Sequence, residues 1–288
     1  MMRLLLAILL SASALLAPVS AKAASAELRP FGVAESLGYE PGDSLLVIAA
    51  DVESLPDYAF AGCRGLRRVV FEAGSRCTAI GECAFAEARD LQEISLPESL
   101  VSIGEGAFRE CASLQLLALP QGVTIVPKEM CLRCESLEEI DFTAALTEIG
   151  SFAFTGCAEL RRLVLPSLLR SIGSNAFGGC RRIKEVIVPD NVRQLESYIF
   201  AGCEALEWAV LPGRHDLLGE LIFADTPSLR EITINSTIPP EFDCDSSLFE
   251  PGDTAAWQRC TLRVPAASIP AYTEAPGWQL FHHIIAIP

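Results

Sequence analysis

One register constrains this chain more than any other feature. The pattern Ala-Phe, two residues, then Cys appears at Ala59-Phe60 to Cys63 and again at Ala107-Phe108 to Cys111. The aromatic slot is filled by Phe60, Phe85, Phe108, Cys131, Phe154, Phe177, Phe200 and Phe223, spaced 23 residues apart except for one interval of 25 after Phe60. So regular a period predicts a solenoid of about eight coils, in which each unit buries its apolar side only against its neighbours.

Within a unit, Leu114, Leu117 and Leu119 precede Pro120, and the same run recurs at Leu160, Leu163, Leu165, Pro166 and at Ile183, Val186, Val188, Pro189. Its period-two end predicts a short strand. Proline cannot extend a ladder, so it closes that strand. A second extended piece, Leu100 to Ile103, ends at Gly104, where a left-handed tight turn is expected. Glu105 to Cys111 then reads as one helical turn that drops Ala107, Phe108 and Cys111 inward. The expected fold class is an α/β repeat solenoid with parallel short strands, capped at both ends.

The motif I-G-x-x-A-F-x-x-C-x-x-L-x-x-[IVL]-x-[LV]-P resembles that of the BspA-like, Treponema-type leucine-rich repeat proteins and covers Leu55 to Asn235. The tail agrees: Pro239-Pro240, Thr261-Leu262-Arg263-Val264-Pro265, Tyr272, Gly277-Trp278, Phe281 and Ile284 are similar to the segment that closes such arrays. Met130-Cys131 replaces Ala-Phe in the fourth unit, and Ala88 and Thr226 occupy the Cys slot in the second and eighth. The resemblance implies an exported bacterial adhesin whose partner is a protein, such as host matrix or another bacterial surface protein. It assigns no contact residues.

The N-terminus fits export. Met1 to Ala23 opens with Arg3, continues through a mostly apolar stretch from Leu4 to Leu16 and reaches Ala21-Lys22-Ala23, the pattern of a cleavable secretory signal. That stretch is shorter than the ~20 residues that span a bilayer, so no membrane span is expected. The first Cys after it is Cys63, which leaves a lipoprotein thioether without an attachment point. Residues 24–54 read as an N-terminal cap and starter coil, 55–235 as the repeats, and 236–288 as the closing segment.

Charge narrows the partners. The formal net charge is -15, and cleavage after Ala23 would make it -17 by removing Arg3 and Lys22. Such a surface repels phosphate backbones, so no nucleic acid is expected.

Chemical motifs are few. Cys131-Leu-Arg-Cys134 has the spacing of zinc ligands and redox dithiols, but both cysteines fall on inward slots of the repeat. His215 intrudes on an otherwise apolar inward column, while His282 and His283 point opposite ways in an extended segment. Three histidines and no Gly-x-Ser-x-Gly give little from which to build a nucleophilic triad. No cofactor and no enzymatic activity are expected. Cys111, Cys134, Cys157, Cys180 and Cys203 are expected to stay reduced, because stacked neighbours lie about 5 Å apart at Cβ, beyond disulfide reach. Cys244 and Cys260, outside that ladder, are the disulfide candidates.

The informative surface is the outward side of the strands. One column reads Val70, Ser95, Ala118, Asp141, Val164, Ile187, Val210, Thr233; its neighbour reads Arg68, Glu93, Leu116, Glu139, Arg162, Glu185, Trp208, Glu231. No two adjacent members of the second column share a charge, which avoids repulsion between coils. Trp208, Val210, Ile187 and Val164 cluster beside Arg161 and Arg162, an aromatic, apolar and basic composition typical of binding hot spots. Strand propensity alone would explain the β-branched members. An exposed Trp could also stack sugars, so a glycan-binding module is the alternative, and a spacer with no ligand is a third reading.

Overall fold

The computed structural model describes residues 34–214, 217–242, 247–250 and 253–288. They form a solenoid of parallel coils about 23 residues apart, with about ten turns, a slightly longer stack than the repeat motif alone delimits. The additional turns come from both ends. Leu45–Ile48 pairs with Arg68–Phe71 before the first aromatic unit, and Thr261–Val264 and His283–Ala286 continue the ladder past Glu231–Ile234. The signal-like segment Met1 to Ala23 and His215 lie outside the described residues.

The coils of the repeat region build three ladders. The first row is the run of strands from Leu45–Ile48 through Glu139–Asp141 and, in a separate sheet, from Glu185–Ile187 to His283–Ala286. The second row comprises two-residue strands such as Ser102–Ile103 and Glu148–Ile149. The first row is interrupted at the coil of Arg162, where a single bridge from Glu139 replaces a strand pair. The second row is interrupted elsewhere, between Ser102–Ile103 and Ile125–Val126. Because the breaks fall at different levels, each is bridged by the other row.

The third ladder replaces the expected helical turn. In the coil around Phe108, Ala107, Arg109 and Cys111 donate their N–H groups three residues back, to Gly104, Gly106 and Phe108. The alternate residues Gly106, Phe108 and Glu110 donate instead to Lys128, Met130 and Leu132 of the next coil, at 2.7 to 3.0 Å. Left-handed residues stand two before and two after each aromatic slot, as at Glu129 and Arg133 or Tyr198 and Gly202. They swing every second amide out of its local turn and toward the neighbouring coil. Non-glycine residues rarely adopt this geometry, yet eleven of the described residues do so; the buried amides they pair offset the strain. Among the described residues helix is confined to short pieces, such as Thr254–Arg259 and Ile269–Glu274 of the closing segment.

Gly104 does not serve the purpose expected of it. Its φ is not left-handed; a Cβ there would meet the Glu82 amide nitrogen at 2.4 Å. A Cβ at Gly81, Gly150 or Gly173 would meet the backbone of the preceding coil equally closely, at 2.5 to 2.6 Å. At these coils the position is glycine because main chain approaches main chain there, although Pro127 and Glu196 fill the same place in two other coils.

All seven Phe of the aromatic slot are fully buried. They form two stacks rather than one. Phe60, Phe85 and Phe108 stack at 5.1 and 5.6 Å, and Phe154, Phe177, Phe200 and Phe223 at 5.4, 5.7 and 5.9 Å. Cys131 leaves the gap, which is filled from the side: Met130 is fully buried in place of alanine, and Phe142 meets Phe154 edge-on at 5.7 Å.

The ladder thiols are free and buried. Each donates to the main-chain oxygen of the aromatic slot one coil earlier: Cys111 to Phe85 at 3.1 Å, Cys134 to Phe108 at 3.1 Å, Cys180 to Phe154 at 3.3 Å. Cys also packs as a small hydrophobe, so the slot tolerates Ala88, and Thr226 satisfies its hydroxyl on Phe223 at 2.7 Å. Of the disulfide candidates, Cys244 lies outside the described residues and Cys260 is a buried free thiol.

Candidate functional site

The candidate patch is built on the first row. Parallel pairing sets Glu185 beside Trp208 and Trp208 beside Glu231; two residues on, Ile187 lies beside Val210 and Val210 beside Thr233. The inward members of these strands, Val186, Ala209 and Ile232, are buried, which turns Trp208, Val210 and Ile187 to the outer side. Ile187 is 57% exposed and Val164 59%. Trp208 and Val210 are half-buried. The indole is therefore partly covered by its neighbours rather than fully displayed.

Val164 stands apart from the strands. Its coil is the one at which the first row breaks, so Val164 occupies its column without a strand around it. The structure brings Trp208, Val210 and Ile187 together in one sheet and sets Val164, Arg161 and Arg162 across the break.

The arginines differ in their surroundings. Arg161 lies 3.2 Å from Glu159 and 3.9 Å from Glu138, so two carboxylates answer its charge. Glu138 is exposed and Glu159 half-buried, and such surface pairs contribute about 1 kcal/mol or less. Arg162 has no ion pair among the described residues, standing between the levels of Glu139 and Glu185. The patch is thus mainly apolar with one free cation. Sequence reasoning overlooked Glu138, although it precedes Arg161 by one repeat and the period itself makes them neighbours.

The thiols of the core are buried and held protonated. Burial pushes the Cys203 thiol up to about 12, and burial likewise raises Cys180, whose neighbours Cys157 and Cys203 add to the effect. Cys131 and Cys134, the C-x-x-C pair, are both fully buried, and burial holds the Cys131 thiol well above its ordinary range. A nucleophilic or ligating cysteine needs the opposite shift. No group of three metal-ligating side chains occurs among the described residues.

Residues 44–150 and 124–241 match the BspA type leucine rich repeat region, in six copies. The chain belongs to this family. Its BspA-type coils are similar to those of a leucine-rich repeat protein from Bacteroides ovatus, with 21% identity over 84% of this chain and a TM-score of 0.57. The chain spans 62% of the length of that protein. A leucine rich cell surface protein from Faecalibacterium prausnitzii shares 21% identity over 85% of this chain and 79% of its own, with a TM-score of 0.40. A leucine rich repeat protein from Treponema pallidum shares 21% identity over 68% of this chain and 80% of its own, with a TM-score of 0.45. At these identities the BspA-type likeness is one of fold. No curated protein matches the chain. No described helix is long and apolar enough to cross a membrane.

Proposed function

We propose that this BspA-type chain is an exported, non-catalytic module that binds a protein on its first-row face, centred on Trp208. The observation that supports this most is the register Ile187–Val210 beside Glu185–Trp208–Glu231, which sets apolar side chains and an indole side by side on a rigid sheet. An anchor held on a regular element loses little entropy when a partner covers it. Half-burial of Trp208 fits the role, since a pre-ordered aromatic is a better anchor than a mobile one. Bacterial relatives that include a cell surface protein, together with the signal-like Met1 to Ala23, support a location outside the cytoplasm. The raised thiols and the scarcity of histidine support binding rather than catalysis.

The test is a screen of the purified chain against host matrix proteins and bacterial surface proteins, followed by two variants. Trp208→Ala should weaken binding by about 2 kcal/mol or more, while costing the fold only about 1 kcal/mol, as a half-buried side chain would. Arg161→Glu, which sets a third carboxylate beside Glu138 and Glu159, should weaken it less. Normal binding by both variants would put the partner elsewhere, and a screen without any ligand would favour a spacer.

A further inference from the structure

We infer that a second site lies on the adjoining side of the solenoid, a trough that takes the carboxylate and hydroxyls of an acidic sugar. Two cavities meet there. One, of about 860 Å³, is lined by Asp190, Asn191, Arg193, Arg214, Asn235 and Thr237, with Pro239 and Pro240 as a wall. The other, of about 610 Å³, shares Asn191 and Arg193 and adds Glu148, Arg170 and Gln194. Shared linings make them one trough running across successive coils.

Its charges do not follow from the fold. The Arg193 amide donates to the Arg170 carbonyl at 2.8 Å, so these arginines occupy equivalent places in adjacent coils. The same chain of bonds runs back through Thr147 to Thr124, which shows that the position accepts a neutral residue. Stacked like charges are unfavourable. Some cations elsewhere are answered by carboxylates, as at Arg181 with Glu204 and Arg182 with Glu159. Arg170, Arg193 and Arg214 have no ion pair among the described residues, in a protein of net charge -15. The nearby Glu196 is turned away, accepting from the amide and hydroxyl of Ser174 at 2.8 and 2.7 Å.

The pattern of groups selects the ligand class. Guanidinium forks match carboxylates. Glu148 and Asp190 stand among the three arginines, so the trough alternates in charge and suits spaced carboxylates with hydroxyl donors between them. A run of adjacent carboxylates, as in an acidic peptide, would meet those two acids. Asn191 uses its amide N–H on the Ser167 carbonyl at 2.7 Å, leaving its oxygen to accept from a hydroxyl. Asn235 and Thr237 are exposed and add donors and acceptors. The Pro239-Pro240 wall offers an apolar surface to the C–H face of a sugar ring.

Calorimetry of the full chain with four probes tests the assignment: trigalacturonate, sialyllactose, uncharged lactose and tetraglutamate. One or both acidic sugars should bind, more weakly as salt rises, and which of them binds tells a chain uronate from a terminal sialate. Arg193→Ala and Arg170→Ala should each lower that affinity at least tenfold with unchanged melting temperature, and Trp208→Ala should leave it intact. Lactose and tetraglutamate should not bind measurably. Binding of neither acidic sugar, equal binding of tetraglutamate, wild-type affinity in Arg193→Ala, or loss in Trp208→Ala would overturn the proposal. A protein partner found or not found on the strand face has no bearing on these outcomes.

Discussion

The repeats and the closing segment both bury aromatic rings, but they arrange them by different rules. Between Phe154 and Phe223 successive rings are tilted by only 9 to 12°, because each coil is a translated copy of the last and the rings can differ little in orientation. In the closing segment orientations are mixed: Trp257 meets Phe249 at 87° and Phe281 at 90°, and Tyr272 meets Trp278 at 79°, whereas Trp278 stacks on Phe242 and Phe281 at 29° and 15°. Edge-on contacts end a stack, since they present no parallel face to a further ring. Phe249 joins the two regimes, lying 6.3 Å from Phe223 with a 43° tilt. Tyr39 does the same at the other end, edge-on to Phe60 at 6.4 Å with its hydroxyl on the Arg64 carbonyl. A repeated core therefore needs a core that does not repeat at each end.

The largest effect separating the regimes should come from Phe177→Ala. This ring has stacked neighbours on both faces, and its loss should cost ~3 to 5 kcal/mol in a urea melt. A cost under about 1 kcal/mol, far outside the range for a buried Phe, would mean the register is wrong. Next comes the irregular coil within the array. Cys131→Phe restores the consensus residue but should destabilise by about 1 to 3 kcal/mol, because Phe142 and Met130 already fill the space. Combining it with Phe142→Leu and Met130→Ala should recover most of that loss. In the closing segment, Trp278→Phe removes the indole N–H that reaches the Pro240 carbonyl at 2.7 Å. The orphaned carbonyl should cost about 1 to 2 kcal/mol, with little change in aromatic packing.

A further expected effect, confined to alkaline solution, is one of pH. Burial raises the Tyr272 phenol to about 12 from an ordinary value of 10.0, against a hydrogen bond to Ser236 that lowers it. An unfolded chain releases that proton near 10, and the folded one retains it. The contribution of the neutral phenol is therefore complete below about pH 10 and drains away between about 10 and about 12. Ultraviolet titration of the native protein should show one tyrosine ionising later than the rest, and Tyr272→Phe should remove that late step.

What could be read from the sequence is what translation repeats. The Phe column, the thiol column and both outward columns follow from the period, and so do Glu138 as a partner for Arg161 and Arg170 as a neighbour for Arg193. What could not be read depends on backbone geometry or falls off the period. Phe249 lies outside the register of Phe223, so no periodic argument finds it. The third ladder required left-handed residues such as Tyr198 and Phe152, which propensity disfavours. Gly104 was legible as a glycine, but its reason lay in the neighbouring coil rather than in its own turn. The break at Arg162 has no counterpart in the motif, since Leu163, Leu165 and Pro166 follow the consensus.

The central claim is that every coil stacks in one register, which both buries the thiols and aligns the outward columns. Native alkylation with mass mapping tests it directly. Cys111, Cys134, Cys157, Cys180 and Cys203 are buried, and burial pushes Cys203 up to about 12. At neutral pH without denaturant, none of these five should take up iodoacetamide and none should be found in a disulfide, whereas all should react in guanidinium. Labelling of any of them in the folded protein, or a disulfide linking two members of the ladder, would contradict the account.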